Sequence, residues 1–396
     1  MIAQSTLDVN AAAKTVWDAV VIGAGPAGSM AARELARRGI RVLLVERKAF
    51  PRAKVCGACL NQRAVSWLEL AGLRELLPRL RAIPTRRFKA FCGRRSLEIE
   101  LPGGVSVSRD ALDGALMQAA IDSGAELMTG INATLRESES DASDRQIDLS
   151  SPAGELGTIR AKIVLAADGL GRPALRQTRE IIARVSRGAK IGVRAGIVAS
   201  CDRFQPGTIY MAVGSGGYAG LVRVEDDSLN LAAALAPEML RRAGSPQAAV
   251  ASLFDEAGMP ELALPSGGCW GGTPPLTQHA VRPAGWRVLL LGDSASYIEP
   301  FTGEGIAWAL ESGMAIAPIA ARGVREWSGE VEQAWLGTHR RLVRNRQLWC
   351  RAFAAVLRRP RIARLSVQLA SAWPMLCQPV VRSLNQPAAL LEISRG

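Results

Sequence analysis

Histidine occurs only twice in the 396 residues, at His279 and His339. Two imidazoles exclude multi-histidine metal sites and most catalytic triads that rely on a histidine base. Cysteine is scarce as well. Its count of seven is odd and spread over a long chain, unlike the dense, even framework of a small secreted domain. No apolar run reaches the roughly 20 residues that span a bilayer; the longest candidate, GIAWALESGMAIAPIAA from Gly305, is broken by Glu311 and Pro318. The opening MIAQSTLDVNAAAKTV has no basic stretch followed by an apolar core and does not read as a secretory leader. These absences describe a cytoplasmic chain with reduced thiols, no membrane span and no metal centre, whose chemistry has to come from a bound cofactor.

What is present reads as globular: 48% apolar and 21% charged residues, in a chain long enough for two or three domains. The net charge of +13 is unevenly placed. From His339 to Gly396 there are eleven arginines against one acid, Glu392, a local excess of +10, and the rest is nearly neutral. Between Arg340 and Arg359, Leu342, Trp349, Phe353 and Val356 fall on one side of a helix and Arg341, Arg344, Arg351 and Arg358 on the other; Arg346 breaks the pattern and Pro360 ends it. Two readings stay open: a helix docked on the protein with a solvated arginine face, or a surface that leans on anionic lipid, peripheral to the membrane. Nucleic acid is not an expected partner, because few aromatics are interleaved for base stacking.

The segment WDAVVIGAGPAGSMAARELARRGIRVLLVERK is the most informative. Asp18 to Ile22 reads as a buried strand, Pro26 to Arg38 as a helix ended by Gly39, and Val42 to Val45 as a second strand. At the first turn stands Gly23-x-Gly25-x-x-Gly28. These glycines permit the tight turn, the approach of a pyrophosphate and close helix–strand packing, in that order. Glu46, 18 residues past Gly28, ends the second strand where a carboxylate can accept hydrogen bonds from an adenosine ribose.

Farther on, a helix is expected from about Asp110 to Ser123 with Arg109 at its start, then a polar loop, ESESDASDRQ, and a buried strand Ile163–Ala166 ending in Asp168-Gly169. Short segments from about Lys190 to Leu235 predict an antiparallel sheet. A strand from Val288 to Leu291 then leads through Gly292-Asp293 to a glycine-rich turn and a long helix. The expected organisation is an α/β fold. A discontinuous dinucleotide-binding, Rossmann-type domain takes 1–80, 105–180 and 276–335, which the resemblance given next implies to be FAD-binding and glutathione reductase-like; an antiparallel β-sheet substrate domain is inserted as 81–104 and 181–275; a basic helical region covers 336–396. No internal repeat is present at solenoid periods.

The three landmarks in order resemble the FAD enzymes of the para-hydroxybenzoate hydroxylase fold group. KVCGACL followed by GDSASYIEPFTGEGI resembles the geranylgeranyl reductase branch, over about Trp17 to Ala321. The resemblance implies FAD contacts from Gly23, Gly25, Pro26, Ala27, Gly28, Glu46, Arg47, Lys54, Cys56, Gly57, Arg109, Asp168, Gly169, Gly292, Asp293, Pro300, Thr302, Gly303, Glu304, Gly305 and Ile306. In it Asp293 meets the ribityl chain, and the turn before the last helix stabilises negative charge on the reduced flavin. Taken singly, Arg109 is also readable as a surface residue and Asp168-Gly169 as a plain turn; the ordered set favours function. The family's Tyr-x-Trp-x-Phe-Pro strand is here Tyr218-Ala219-Gly220-Leu221-Val222-Arg223, matching only at the tyrosine, which leaves a smaller strand face.

Two activities follow from the resemblance. One is reduction of carbon–carbon double bonds of an apolar, isoprenoid or lipid-like substrate by hydride from reduced flavin, with NADH or NADPH as a transient donor. The other is an NAD(P)H-dependent monooxygenase hydroxylating an aromatic, polyketide or lipid substrate through a flavin hydroperoxide. Cys56 and Tyr218 are the residues expected nearest the chemistry. Cys56 and Cys59 also form a Cys-x-x-Cys pair, but no second ligand pair exists for zinc; Cys56 is read as shaping the space between flavin and substrate, and Cys59 as incidental.

Overall fold

A computed structural model describes residues 4–93, 95–137, 142–198, 203–299, 303–342 and 377–386. In chain order the elements that build the site begin with β1 (Val16–Ile22), α1 (Pro26–Ala36) and β2 (Val42–Glu46). A hairpin, β3 (Arg87–Cys92) and β4 (Arg95–Glu100), leaves this layer, and α2 (Arg109–Ile121), β5 (Glu126–Thr129) and β6 (Gly154–Ala166) return to it. Then come β7 (Ile191–Ile197), β8 (Thr208–Gly214), β9 (Gly217–Arg223), β10 (Leu229–Leu235), α3 (Pro246–Ala257) and β11 (Gly271–Pro275). The chain closes through β12 (Val288–Leu290), α4 (Gly305–Arg325) and α5 (Gln378–Asn385).

The first sheet runs β12-β6-β1-β2-β5, all parallel, with small antiparallel additions at Ala284–Gly285 and Arg145–Ser151. Its central strands are apolar on both faces, as a parallel sheet covered on both sides requires. Helices α1 and α4 cover one face, where Gly313 lets them touch: a Cβ there would stand 2.5 Å from the Ala27 carbonyl oxygen. The polar loop expected around Arg145 is shorter than its composition implied. Arg145 begins a strand and is fully buried, its charge met by Glu180 at 2.9 Å.

The second sheet runs β11-β7-β10-β9-β8-β3-β4. It departs from the expected antiparallel arrangement at one place: β3 and β8 are parallel, with Arg87 opposite Thr208 and Ala212 opposite Phe91. Parallel neighbours need a long crossover, and here the connection from Cys92 to Thr208 passes through most of the first sheet.

Period-two alternation gives this sheet two apolar faces. Tyr210, Ala212, Leu221 and Leu231 pack with Val250, Leu253 and Phe254 of α3. The opposite face, Phe88, Ala90, Met211, Val213, Tyr218 and Ala234, turns toward the first domain. Among the described residues no helix is long and apolar enough to cross a membrane.

Of the basic region, residues 336–342 and 377–386 are described. Residues 329–342 are helical, and Trp335, buried, donates from Nε1 to the Leu290 carbonyl at 2.9 Å. The amphipathic segment beyond Leu342 lies outside the described residues, as do Pro300 and Thr302.

Candidate functional site

A cavity of about 480 Å³ lies between the two sheets, in the range of small-molecule sites. At one end β1 turns into α1. Gly23 has φ +103°, and a Cβ on Gly28 would fall 1.8 Å from the Gly23 carbonyl oxygen, so helix and strand separate within a turn that side chains would block. Gly25, Pro26 and Ala27 line the cavity. A Cβ on Gly25 would project between two guanidinium nitrogens, Arg52 Nη2 at 3.7 Å and Arg109 Nη2 at 3.8 Å. A bare turn, a helix N-terminus and two cations suit a pyrophosphate. The residues therefore fit the diphosphate of FAD.

The two arginines are held by acids behind them. Arg109 donates to both oxygens of Asp113, at 2.8 and 2.7 Å, and Arg52 Nη2 lies 3.1 Å from the same carboxylate. Arg52 Nε is also 3.5 Å from Glu46. Burial works against the Arg109 charge, but Asp113 and a hydrogen bond to the Cys56 sulfur outweigh it and hold the guanidinium above its ordinary pKa. Glu46 accepts from the Ala24 and Lys48 N–H groups, at 2.9 and 3.1 Å. Arg47 is exposed. Sequence reasoning missed Arg52 and Asp113, although the i, i+4 spacing of Arg109 and Asp113 on a helix was a usable signal.

The ends of β6 and β12 bring the other two landmarks together. Ser294 Oγ accepts from the Gly169 N–H and donates to Asp168, both at 2.8 Å. Asp168 also accepts from the Ala174 N–H at 2.8 Å. Burial pushes its carboxyl up in pKa while these hydrogen bonds pull it down. Asp168 thus braces the turn, while Gly169 and Leu170 reach the cavity wall. Gly292 donates its N–H to Ser312 of α4 at 3.1 Å, and Asp293 faces Lys54 at 3.3 Å, both of that pair on the wall. Gly303, Gly305 and Ile306 line the cavity at the start of α4, with Glu304 buried between them. Two helix N-termini, of α1 and α4, therefore open onto one space.

The Cys-x-x-Cys loop completes this end. Cys56 and Cys59 are free thiols on the cavity wall. Ala58 between them has φ +55°, in the left-handed region. The Cys56 carbonyl accepts from Asn230 Nδ2 at 2.9 Å. Cys59 donates to the Gly57 carbonyl at 3.2 Å, and it packs beside Gly303. Burial, with Cys56 nearby, pushes the Cys59 thiol up to about 12.

The rest of the cavity is apolar. Its floor is the second sheet, kept low by Ala90, Gly220, Ala232 and Ala234. Tyr218 rises from this floor, with the Lys190 ammonium 5.4 Å from its ring centre and itself held by Glu299 at 2.6 Å. Helix α5 lies across the cavity. Val381 and Asn385, and Cys377 just ahead of the helix, recur at helical i, i+4 spacing on the wall, and the Asn385 side chain accepts the Gln62 N–H at 3.2 Å.

Residues 16–202 match the family described as FAD binding domain. A digeranylgeranylglycerophospholipid reductase of Methanopyrus kandleri is 30% identical, over 78% of this chain and 82% of that protein. A menaquinone reductase of Mycobacterium tuberculosis is 29% identical, over 76% of each. Among solved structures, p-nitrophenol 4-monooxygenase from Pseudomonas putida superposes with a TM-score of 0.72 at 17% identity, over 93% of this chain and 98% of that one. At that identity the likeness establishes the fold.

Proposed function

Because the chain belongs to the family of FAD-dependent oxidoreductases that contains the digeranylgeranylglycerophospholipid reductases, we propose that it reduces carbon–carbon double bonds in the isoprenoid chain of a lipid-like substrate. The observation that carries this reading is a single cavity with a cationic glycine turn at one end and an apolar sheet floor along the rest. The relatives, by name reductases of a menaquinone and of a digeranylgeranylglycerophospholipid, support it.

When bound, FAD supplies the two-electron chemistry that the side chains lack. In this proposal Gly23, Gly25, Gly28 and the start of α1 bind its pyrophosphate with Arg52 and Arg109, and Glu46 receives the ribose. Lys54 and Asp293 would hold the linker, and Gly303 with the first turn of α4, from Gly305, would offer backbone N–H groups and the positive end of the helix dipole to the flavin. Cys56 and Gly57 limit the space beside the ring. The Tyr218 hydroxyl gives a proton to the carbon being reduced. The apolar floor excludes water. NADH or NADPH is the donor and visits transiently, and the +10 segment from His339 onward favours taking the substrate from an anionic membrane surface.

The test is anaerobic. The FAD-loaded protein is reduced with NADH or NADPH and mixed with an unsaturated polyprenyl lipid; reoxidation with formation of the saturated product supports the proposal. In a parallel aerobic run, substrate-dependent oxygen uptake yielding a hydroxylated product instead assigns a monooxygenase chemistry. Failure to bind FAD undoes both.

A further inference from the structure

Beside the cavity floor stands a buried ion pair that cofactor binding does not use. Lys190, just ahead of β7, and Glu299, on the segment between β12 and α4, meet at 2.6 Å, with 8% and 6% of their surfaces exposed. Neither residue reaches the cavity wall. Tyr218 connects them to it: the Lys190 ammonium lies 5.4 Å from the centre of its ring, and Tyr218 lines the cavity.

Strand register explains the contact. Tyr218 of β9 stands opposite Ala234 of β10, which stands opposite Gly192 of β7. Lys190 has the parity of Gly192 and faces the same side of the sheet. The alanine and glycine of this row leave the ammonium a path to the ring, and a Cβ on Gly192 would already press Thr273 Oγ1 at 2.9 Å. The Lys190 carbonyl accepts the Leu276 N–H at 2.8 Å, which fixes the backbone from which the side chain starts. Packed with Tyr218 are apolar side chains and three titratable ones, Cys92, Tyr297 and Cys377. Lys54 and Asp293, also on the cavity wall, pair with each other. Lys190 is the cation on the ring.

We propose that Lys190 is a positioning residue for proton delivery: it holds the Tyr218 ring and stabilises the phenolate left when the hydroxyl gives up its proton. Glu299 keeps the buried ammonium in place. The inference rests on the reading of Tyr218 as the proton source in double-bond reduction. In that step one carbon takes a hydride, its two electrons coming from the reduced flavin, and the other carbon takes the Tyr218 proton. The phenolate regains a proton from water before the next turnover. A buried anion without a partner is costly, and a cation is drawn to an aromatic face even when the ring is neutral. Loss of the proton strengthens that attraction.

Carbon-13 NMR decides it, on the FAD-loaded full chain with tyrosine labelled at Cζ, followed against pH without substrate. The chain has three tyrosines, Tyr210, Tyr218 and Tyr297, and the signal lost in Tyr218→Phe is that of Tyr218. The double variant Lys190→Met, Glu299→Gln removes both charges at similar volume, so no buried charge is left unpaired. Its Tyr218 is expected to ionise about one pH unit higher than in the unaltered protein. Glu299→Gln alone keeps the ammonium and drops the carboxylate, and is expected to shift the midpoint the other way. With an unsaturated polyprenyl lipid the double variant is expected to lose about tenfold or more in kcat and to keep KM within about twofold. The same midpoint in the unaltered protein and the double variant overturns the role of Lys190. If the midpoints move as expected but Tyr218→Phe reduces the lipid undiminished, the reading of Tyr218 as proton source has failed instead, and the pair has no part in turnover.

Discussion

Arg109 grips Asp113 through two hydrogen bonds of 2.8 and 2.7 Å, with the carboxylate fully buried and the guanidinium 8% exposed. Arg52 shares that carboxylate and also lies 3.5 Å from Glu46, so Asp113 is the acid common to the two cations that face the glycine turn. Asp113→Asn leaves Arg109 without its carboxylate and Arg52 with Glu46 alone, and breaking a buried pair from one side costs about 3–5 kcal/mol. The expected result is a lower melting temperature without FAD, partly restored by FAD, whose diphosphate brings back negative charge. Melting curves with and without the cofactor decide it; an equal drop in both would show that Arg52 and Arg109 do not face the diphosphate.

The two thiols on the cavity wall are expected to behave differently. With its thiol pushed up to about 12, Cys59 stays protonated across the neutral range, and the thiolate is the reactive form. Alkylation by iodoacetamide at pH 8, read by peptide mass spectrometry, is expected to spare Cys59. Separate Cys56→Ala and Cys59→Ala variants complete the comparison. The first is expected to lower turnover more, and equal losses would point to a dithiol.

Gly220 sets the height of the floor. A Cβ there would already touch Met211 Cε at 3.3 Å, and a full indole would fill space that the substrate tail needs. Overpacking costs about 1–3 kcal/mol. Gly220→Trp is thus expected to raise KM for an isoprenoid substrate roughly ten- to hundredfold while FAD affinity stays unchanged. An unchanged KM would mean the tail does not cross this strand.

The strand–helix–strand entry was legible because Val and Ile runs, a glycine turn and a 3.6-residue period fall within thirty residues that fold against each other. What lay outside such windows was not. Arg52 and Ser294 matter through partners brought by topology: Ser294 joins Gly169 across 125 positions, and nothing local marks it. The alternation in β8 to β10 announced two faces but could not say which is covered by α3 and which is the floor. The parallel pairing of β3 with β8 joins segments more than a hundred residues apart, beyond any local signal.

His339 supplies a pH dependence of stability. Burial lowers its pKa from 6.5 to about 4, beside Trp335 at 6.0 Å between ring centres. Because the unfolded chain binds the proton more tightly, the neutral ring's contribution is complete above pH 6.5. It is lost as pH falls from there toward 4, at up to about 1.4 kcal/mol per unit. Melting temperatures across this window are expected to show a slope that His339→Phe flattens; a parallel slope in the variant would assign the effect elsewhere.

The hydrogen bond from Gln62 to Asn385 closes the cavity across 323 positions of sequence. During synthesis the glycine turn and sheet floor are made early, but the wall above them arrives only with the last described helix. Until that helix emerges, a chain still on the ribosome presents its apolar floor to solvent without this wall. Exposed apolar sheet of this kind favours aggregation, so the order of synthesis sets an interval, ending as residue 385 emerges, in which the floor is uncovered on that side.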